Sequence, residues 1–202
     1  MKKIALLLFV SIFPVTNAQA ANYLTLGLSV GTAGQEYSDI FTDLEGISGV
    51  SGRDTSFGIR MGVPLSDYLV IEGALYDYGE ASDNYFDGFG DLISVKTSTK
   101  SANFGIAGVF PISYTPSDII GRIGLAVWDA DVEFRDSSLP GQVFTDSDDG
   151  VAVYFGFGAR TSVASNVRLG IEYNFLSFDT NYLNTAGDQT IDNFAFTVDV
   201  GF

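Results

Sequence analysis

The sequence has 202 residues, with 10 Lys and Arg against 25 Asp and Glu, and it contains neither His nor Cys. A chain this acidic lacks the basic surface that binding to nucleic acid requires. We therefore expect no nucleic-acid partner. Without Cys and His it cannot form disulfides or thiolate metal sites and lacks the commonest catalytic base, so we predict that it is not an enzyme and holds no metal or other cofactor.

Residues 1–20 have the three parts of a secretory signal peptide. Lys2 and Lys3 form a basic start, Ile4–Val15 is apolar but too short to span a bilayer, and Ala18–Gln19–Ala20 offers a cleavage site. A buried N-terminal helix is the alternative. We therefore predict a single mature domain over residues 21–202. Its formal charge is 8 minus 25, or −17, since two of the ten basic residues lie in the signal.

After residue 20, apolar residues alternate with small or polar ones in eight separate segments of about ten residues each. In chain order the segments are 24–31, 56–63, 68–78, 103–110, 119–128, 151–160, 167–175 and 193–202. No stretch after the signal approaches eighteen apolar residues, which excludes transmembrane helices. Without such helices, a chain can span a membrane only as a closed β-sheet, in which every backbone N–H and C=O group is hydrogen-bonded within the protein. We therefore predict an all-β, eight-stranded antiparallel up-and-down transmembrane β-barrel.

The second face of these segments consists mostly of Gly, Ser, Ala, Thr and Asn. A soluble barrel with a greasy interior, of the lipocalin kind, is the alternative, but its water-facing surface would carry many long polar residues. Eight strands enclose little space, so small residues suit the inside and bulky ones the lipid.

The connections between the segments alternate between long and short, as in outer-membrane barrels. The short turns, at Pro64–Asp67, Pro111–Ser117 and Ser162–Ser165, are expected to face the periplasm together with both termini. The long loops are expected outside the cell, at Thr32–Asp54, Gly79–Ser98, Ala130–Gly150 and Phe178–Thr190.

Charged residues also fall on the face that we predict to be interior. They are Arg60, Glu72, Arg122, Arg160, Arg168 and Glu172. Buried charges are costly unless they are paired, so we predict a salt-bridged network that plugs the lumen. A gated or ion-selective pore, in which these groups exchange partners, is the alternative.

Acidic residues concentrate in the predicted outer loops, notably at Asp129, Asp131, Glu133, Asp136, Asp146, Asp148 and Asp149. A solvated acidic surface is the expected reading, with calcium binding or divalent bridging to lipopolysaccharide phosphates as the alternative. Membrane-interface girdles are predicted at Tyr68 and Tyr114 beside the short turns, and at Tyr76, Tyr78, Tyr85 and Phe86 on the loop side. Trp128 is predicted to point inward.

The chain resembles the OmpA-like transmembrane domain and its small relatives, which include opacity-type and attachment-type surface proteins. The resemblance lies in the signal sequence, the eight alternating segments and the aromatic residue at the end of the last segment, Phe202. Residues 119–129 form the most family-like stretch. The resemblance implies a Gram-negative outer-membrane location among outer-membrane lipid and lipopolysaccharide. It also implies a non-enzymatic barrel whose acidic surface loops serve adhesion, recognition or envelope integrity, with a possible host or surface ligand. A porin-like small-solute channel is the alternative.

The last segment places apolar residues at every other position back from the C-terminus, namely Phe194, Phe196, Val198, Val200 and Phe202. This row is similar to the signal by which the barrel-assembly machinery recognises the class, so we expect that machinery to be a partner. The row is also expected to face lipid after the barrel closes.

Overall fold

The computed structural model describes residues 24–38, 49–86, 90–182 and 185–202. The predicted signal peptide lies outside these residues. Within them, no helix has the length and apolar character needed to cross a membrane. The strands are β1 (Thr25–Ser38), β2 (Gly49–Ser66), β3 (Leu69–Phe86), β4 (Leu92–Pro111), β5 (Ser117–Asp136), β6 (Phe144–Ser162), β7 (Val167–Tyr182) and β8 (Thr185–Gly201).

Each strand pairs antiparallel with the next one, and β1 pairs with β8, so the sheet closes into a barrel. Leu26 of β1, for example, lies opposite Met61 of β2 on one side and Val200 of β8 on the other. At the chain end, Phe202 N donates a hydrogen bond of 2.9 Å to Leu24 O. The predicted fold class is confirmed.

Large apolar side chains cover the outside of the barrel in a continuous zone that we call the apolar belt. On β2 the exposed Phe57 and Ile59 alternate with the buried Ser56 and Arg60. Phe57 is 59% exposed and Phe104 of β4 is 67% exposed. So much apolar surface suits lipid and not water, which favours the membrane barrel over the soluble alternative.

Three short connections, at residues 67–68, 112–116 and 163–166, join strands at one end of the barrel, which we call the turn end. The other end, which we call the hairpin end, differs from the prediction. The four predicted long loops are wrong, because most of their residues continue the strands. Only residues 39–48, 87–91, 137–143 and 183–184 fall between strands there.

The correction extends to the predicted acidic surface loops. The predicted loop residues Asp129, Asp131, Glu133 and Asp136 lie in β5, and Asp146, Asp148 and Asp149 lie in β6. These seven acidic residues are therefore carried on strands.

Where the strands leave the apolar belt, apolar residues change from the outward face to the inward face. On β5, the buried Ala130 and Val132 alternate with the exposed Asp129 and Asp131, so polar residues now point outward. Water surrounds this part of the barrel, so the apolar face turns inward, as in a soluble β-protein. Apolar residues still occur at every second position here, but they point inward instead of outward, which made these segments look like loops.

At the hairpin end the closed barrel divides into two four-stranded sheets. The β2–β3 ladder stops at Phe57↔Asp77, and the β6–β7 ladder stops at Tyr154↔Leu176, whereas the other six ladders continue. One sheet is β7-β8-β1-β2 and the other is β3-β4-β5-β6. We call this two-layer part the ectodomain, a name that refers to its position beyond the apolar belt.

A mixed core joins the two sheets of the ectodomain. Buried apolar residues from both sheets, including Tyr37, Ile191, Val95 and Val132, belong to one cluster. Thr99 of β4 lies 2.9 Å from the hydroxyl of Tyr37 and 2.8 Å from Gln189 Nε2, so hydrogen bonds also cross between the sheets. The strand extensions thus form a packed unit of their own.

Candidate functional site in the barrel interior

A layer of charged side chains fills the barrel inside the apolar belt. Arg60 of β2 is only 7% exposed and lies at its centre. Its Nη1 is 2.6 Å from Glu172 Oε2, its Nη2 is 2.9 Å from Asp199 Oδ1, and its Nε is 3.7 Å from Glu72 Oε1. One cation therefore serves three carboxylates from β3, β7 and β8.

Arg122 of β5 links two of the same carboxylates. Its Nε is 2.7 Å from Glu72 Oε2, and its Nη1 is 3.2 Å from Glu172 Oε2. Glu172 Oε1 also accepts hydrogen bonds from the hydroxyl of Tyr76 at 3.2 Å and from Asn174 Nδ2 at 3.1 Å. Buried charges are costly unless they are paired, and each of these charged groups has an ion-pair partner. Arg122 Nη1 faces Glu172 without making a hydrogen bond to any described residue.

Arg160 extends the layer toward the turn end. Its Nε is 3.2 Å from Asp118 Oδ2, and its Nη1 is 3.8 Å from Asp199 Oδ2. Arg168 is half-buried and forms no ion pair with any described residue. The structure therefore brings five of the six predicted interior residues into one network and leaves Arg168 beside it.

Sequence reasoning missed Asp199 and Asp118 as members of this network. Asp199 bridges Arg60 and Arg160, although it lies in the row of small residues that alternates with the C-terminal apolar row. Its position in that inward-facing row could have identified it, since an acidic side chain on the inward face of a narrow barrel needs a cation as a partner. Asp118 precedes the first clearly alternating residue of β5, so the pattern gave no face for it.

Aromatic side chains lie above the charged layer, toward the hairpin end. Tyr76 and Tyr78 were predicted at the lipid interface, and this is wrong: both are buried inside, with ring centroids 5.8 Å apart. Their hydroxyls find interior partners, Glu172 for Tyr76 and Ser101 for Tyr78. Such hydrogen-bonding groups suit the polar interior better than the lipid.

Trp128 points inward as predicted and stacks on Phe178 of β7, with ring centroids 4.0 Å apart. Its other neighbour is Gly150 of β6, where an added Cβ would lie 2.7 Å from Trp128 Cζ2. At the surface, Tyr68 and Phe86 are 64% and 75% exposed.

The outer surface just beyond the apolar belt is acidic. Asp129 of β5 and Asp149 of β6 lie directly opposite each other. Partial desolvation raises the pKa of Asp129, as do the nearby charges of Asp131 and Asp149, while Lys100 opposes the rise. Among the described residues, no three acidic side chains are grouped closely enough to hold a metal ion.

The C-terminal row lies on the apolar belt. Phe194, Phe196, Val198 and Phe202 are exposed there, and Val200 is half-buried. A cavity of about 870 Å³ is lined mainly by belt residues such as Leu28, Phe57 and Phe196. The buried Tyr76, Ser101 and Trp128 also line this cavity.

A closed eight-stranded sheet with an apolar exterior and a charged interior defines the class of transmembrane β-barrels. Residues 5–202 match the outer membrane protein beta-barrel domain family, and the chain belongs to that family. Its location is therefore the outer membrane. A comparison with curated proteins gives no match.

Several solved structures share the fold. Neisserial surface protein A has 15% identity and a TM-score of 0.51, covering 88% of this chain and 97% of its own. Outer membrane protein OprG from Pseudomonas aeruginosa has 11% identity and a TM-score of 0.55, covering 92% and 100%. The outer membrane protease OmpT from Escherichia coli has 9% identity and a TM-score of 0.55, covering 89% and 96%. At these identities the likeness concerns the fold alone.

Proposed function

We propose that this protein is a non-enzymatic anchor that presents a folded, acidic ectodomain at the cell surface for adhesion, recognition or envelope integrity. In this proposal the hairpin end lies outside the cell, and the turn end and both termini lie in the periplasm. The observation that carries the proposal is the ectodomain itself.

A strand needs about 9–11 residues to cross a membrane. The strands of this barrel have 14 to 20 residues, and the surplus lies at the hairpin end. At about 3.3 Å per residue, six extra residues extend about 20 Å along the strand beyond the lipid. Their height above the membrane is smaller, because barrel strands are tilted by about 35–45°. A packed core such as that around Tyr37 and Val132 makes this projection a rigid surface, which suits recognition by contact.

The filled interior supports an anchor over the alternative, a small-solute channel. A channel needs a continuous polar path, whereas Arg60, Arg122 and their carboxylates occupy the middle of the barrel and the Trp128–Phe178 stack lies above them. A network in which each charge has fixed partners resists the exchange that conduction would require.

The absence of His and Cys from the sequence supports a role without catalysis, because these residues supply the usual general base and thiol nucleophile. Lipid and lipopolysaccharide are the expected neighbours of the apolar belt. We also propose that the C-terminal row from Phe194 to Phe202 is read by the barrel-assembly machinery before it faces lipid.

Planar-bilayer recording tests the anchor against the channel. The full-length mature protein is expected to give no steady conductance level, and the variant R122Q is expected to give none above the wild type's background. A steady conductance that changes in R122Q would contradict the anchor and support the channel.

A further inference from the structure

The two breaks in the barrel wall of the ectodomain are closed to different extents. At the β2–β3 break, Glu80 N donates to Asp54 Oδ2 at 3.0 Å, and the hydroxyl of Tyr85 donates to Gly49 O. From inside, Gln35 Nε2 donates to Gly79 O at 2.9 Å. The backbone hydrogen bonds that Asp54 accepts from Glu80 N and Thr55 N lower its pKa, as expected of a carboxylate held by backbone donors. Hydrogen bonds therefore hold β2 and β3 together across this break.

The β6–β7 break, which we call the seam, is more open. Residues 144–153 of β6 pair only with β5, and residues 177–182 of β7 pair only with β8. Asn181 N donates a hydrogen bond of 2.7 Å to Asp148 Oδ2, so a side chain spans the gap where a ladder would otherwise run. Each edge therefore presents backbone N–H and C=O groups that have no strand partner, and such edges accept an added strand.

The seam is strongly acidic. Asp148 and Asp149 lie on β6 and Asp179 lies on β7. Neither β6 before Arg160 nor β7 and β8 after Arg168 contain any Lys or Arg. A second copy of this chain would bring like charges together at the seam, so self-pairing of the edges is disfavoured. A basic partner is favoured by the same charges.

A buried hydroxyl at the seam lacks a partner. Tyr182 is only 1% exposed, yet no described residue hydrogen-bonds to its hydroxyl oxygen. Asp148 lies nearby, because its carboxylate accepts the hydrogen bond of Asn181 N, and Asn181 is the neighbour of Tyr182 in β7. Tyr182 and Asp148 therefore belong to the same part of the seam. A buried hydroxyl without a partner costs free energy, which an incoming donor would recover.

We propose that the seam is a docking site for an extended polypeptide segment rich in Lys or Arg. The segment pairs its backbone with the free edge of β6 and places a basic side chain between Asp148 and the hydroxyl of Tyr182. The incoming cation replaces Asn181 N as a partner of Asp148, and the edges of β6 and β7 move apart to admit the added strand. This inference rests on the proposed surface function and names the chemistry of the partner.

The test uses the full-length mature barrel in nanodiscs of phosphatidylcholine and a fluorescent, end-capped octapeptide of alternating Lys and Thr. Binding is measured by fluorescence anisotropy at low salt. The D148N/D149N variant removes two charges at the seam, and D77N/D83N removes two charges from β3 as a matched control. We expect the seam variant to weaken binding by about tenfold and the control pair by no more than about twofold.

A second peptide tests the backbone pairing. It has the same sequence with N-methyl groups on alternate residues, which keep its charge but block strand addition, and we expect its binding to be weaker by about tenfold. Equal binding of both peptides, equal losses in both double variants, or no binding of the unmodified peptide would each overturn the proposal. Conductance by the barrel would overturn the anchor without affecting these peptide measurements, so the two failures are distinguishable.

Discussion

Replacing Glu172 by Gln tests whether the charged layer holds the barrel together. The amide keeps the shape of the side chain but removes the negative charge that lies 2.6 Å from Arg60 Nη1 and 3.2 Å from Arg122 Nη1. Breaking a buried ion pair by changing one partner costs about 3–5 kcal/mol. Arg60 keeps Asp199 and Arg122 keeps Glu72, so we expect a loss in the free energy of unfolding near the lower limit, about 3 kcal/mol.

The R60Q variant should lose more, about 5 kcal/mol, because it removes one cation from three buried carboxylates at once. Glu72 and Glu172 then share Arg122, and Asp199 keeps only Arg160 at 3.8 Å. The assay is equilibrium unfolding in urea of barrels refolded into lipid vesicles, followed by the gel-mobility difference between folded and unfolded chains. The exposed Asp188 provides the control, since D188N should change stability by less than about 0.5 kcal/mol. If E172Q and D188N destabilised the barrel equally, the charged layer could not be its structural plug.

Three further predictions concern other parts of the barrel. In G150A the added Cβ would lie 2.7 Å from the indole of Trp128, so we expect a loss of about 1–3 kcal/mol and a shifted emission from this single Trp, whereas G121A, with open space around it, should change neither. The raised pKa of Asp129 means that the folded chain binds the proton of this carboxyl more tightly than the unfolded chain does. The contribution of Asp129 to the free energy of unfolding therefore favours folding at low pH and is lost as the pH rises through the folded pKa. D129N should flatten the fall in stability between pH 4 and 7, and an unchanged slope would contradict this. Deleting Phe202 should leave export to the periplasm intact but lower the surface yield of folded barrel, and a normal yield on immunoblots of outer-membrane fractions would argue against the assembly role of the C-terminal row.

The sequence was sufficient for the part of the barrel that lies in lipid. There the outward row is apolar and the inward row is small or charged, so the alternation of Phe57 and Ile59 with Arg60 and Gly58 fixes both the strand and its orientation. The same alternation placed Trp128 inside. Periodicity was sufficient because lipid and the narrow lumen impose opposite demands on neighbouring residues.

The sequence was insufficient for the ectodomain and for the partners in the charged layer. Beyond the belt, Val132 and Asp131 exchange the roles that apolar and polar residues have in lipid, so a search for outward apolar rows ended at Trp128. Tyr76 was misplaced because aromatic residues near a membrane interface suggest a girdle, whereas its hydroxyl is bound by Glu172 inside. Which Arg meets which carboxylate depends on the stagger of the strands around the barrel, and a single sequence does not encode that stagger in any local pattern.

Cysteine labelling on intact cells tests the central claim, that the hairpin end is the surface-exposed end. The chain has no native Cys, so single variants are cleanly readable. Ser147→Cys lies in the ectodomain and Ser113→Cys lies at the turn end, and both positions are exposed. With a membrane-impermeant maleimide, S147C should label on intact cells and S113C only after the outer membrane is permeabilised. Labelling of S113C but not of S147C on intact cells would contradict the account.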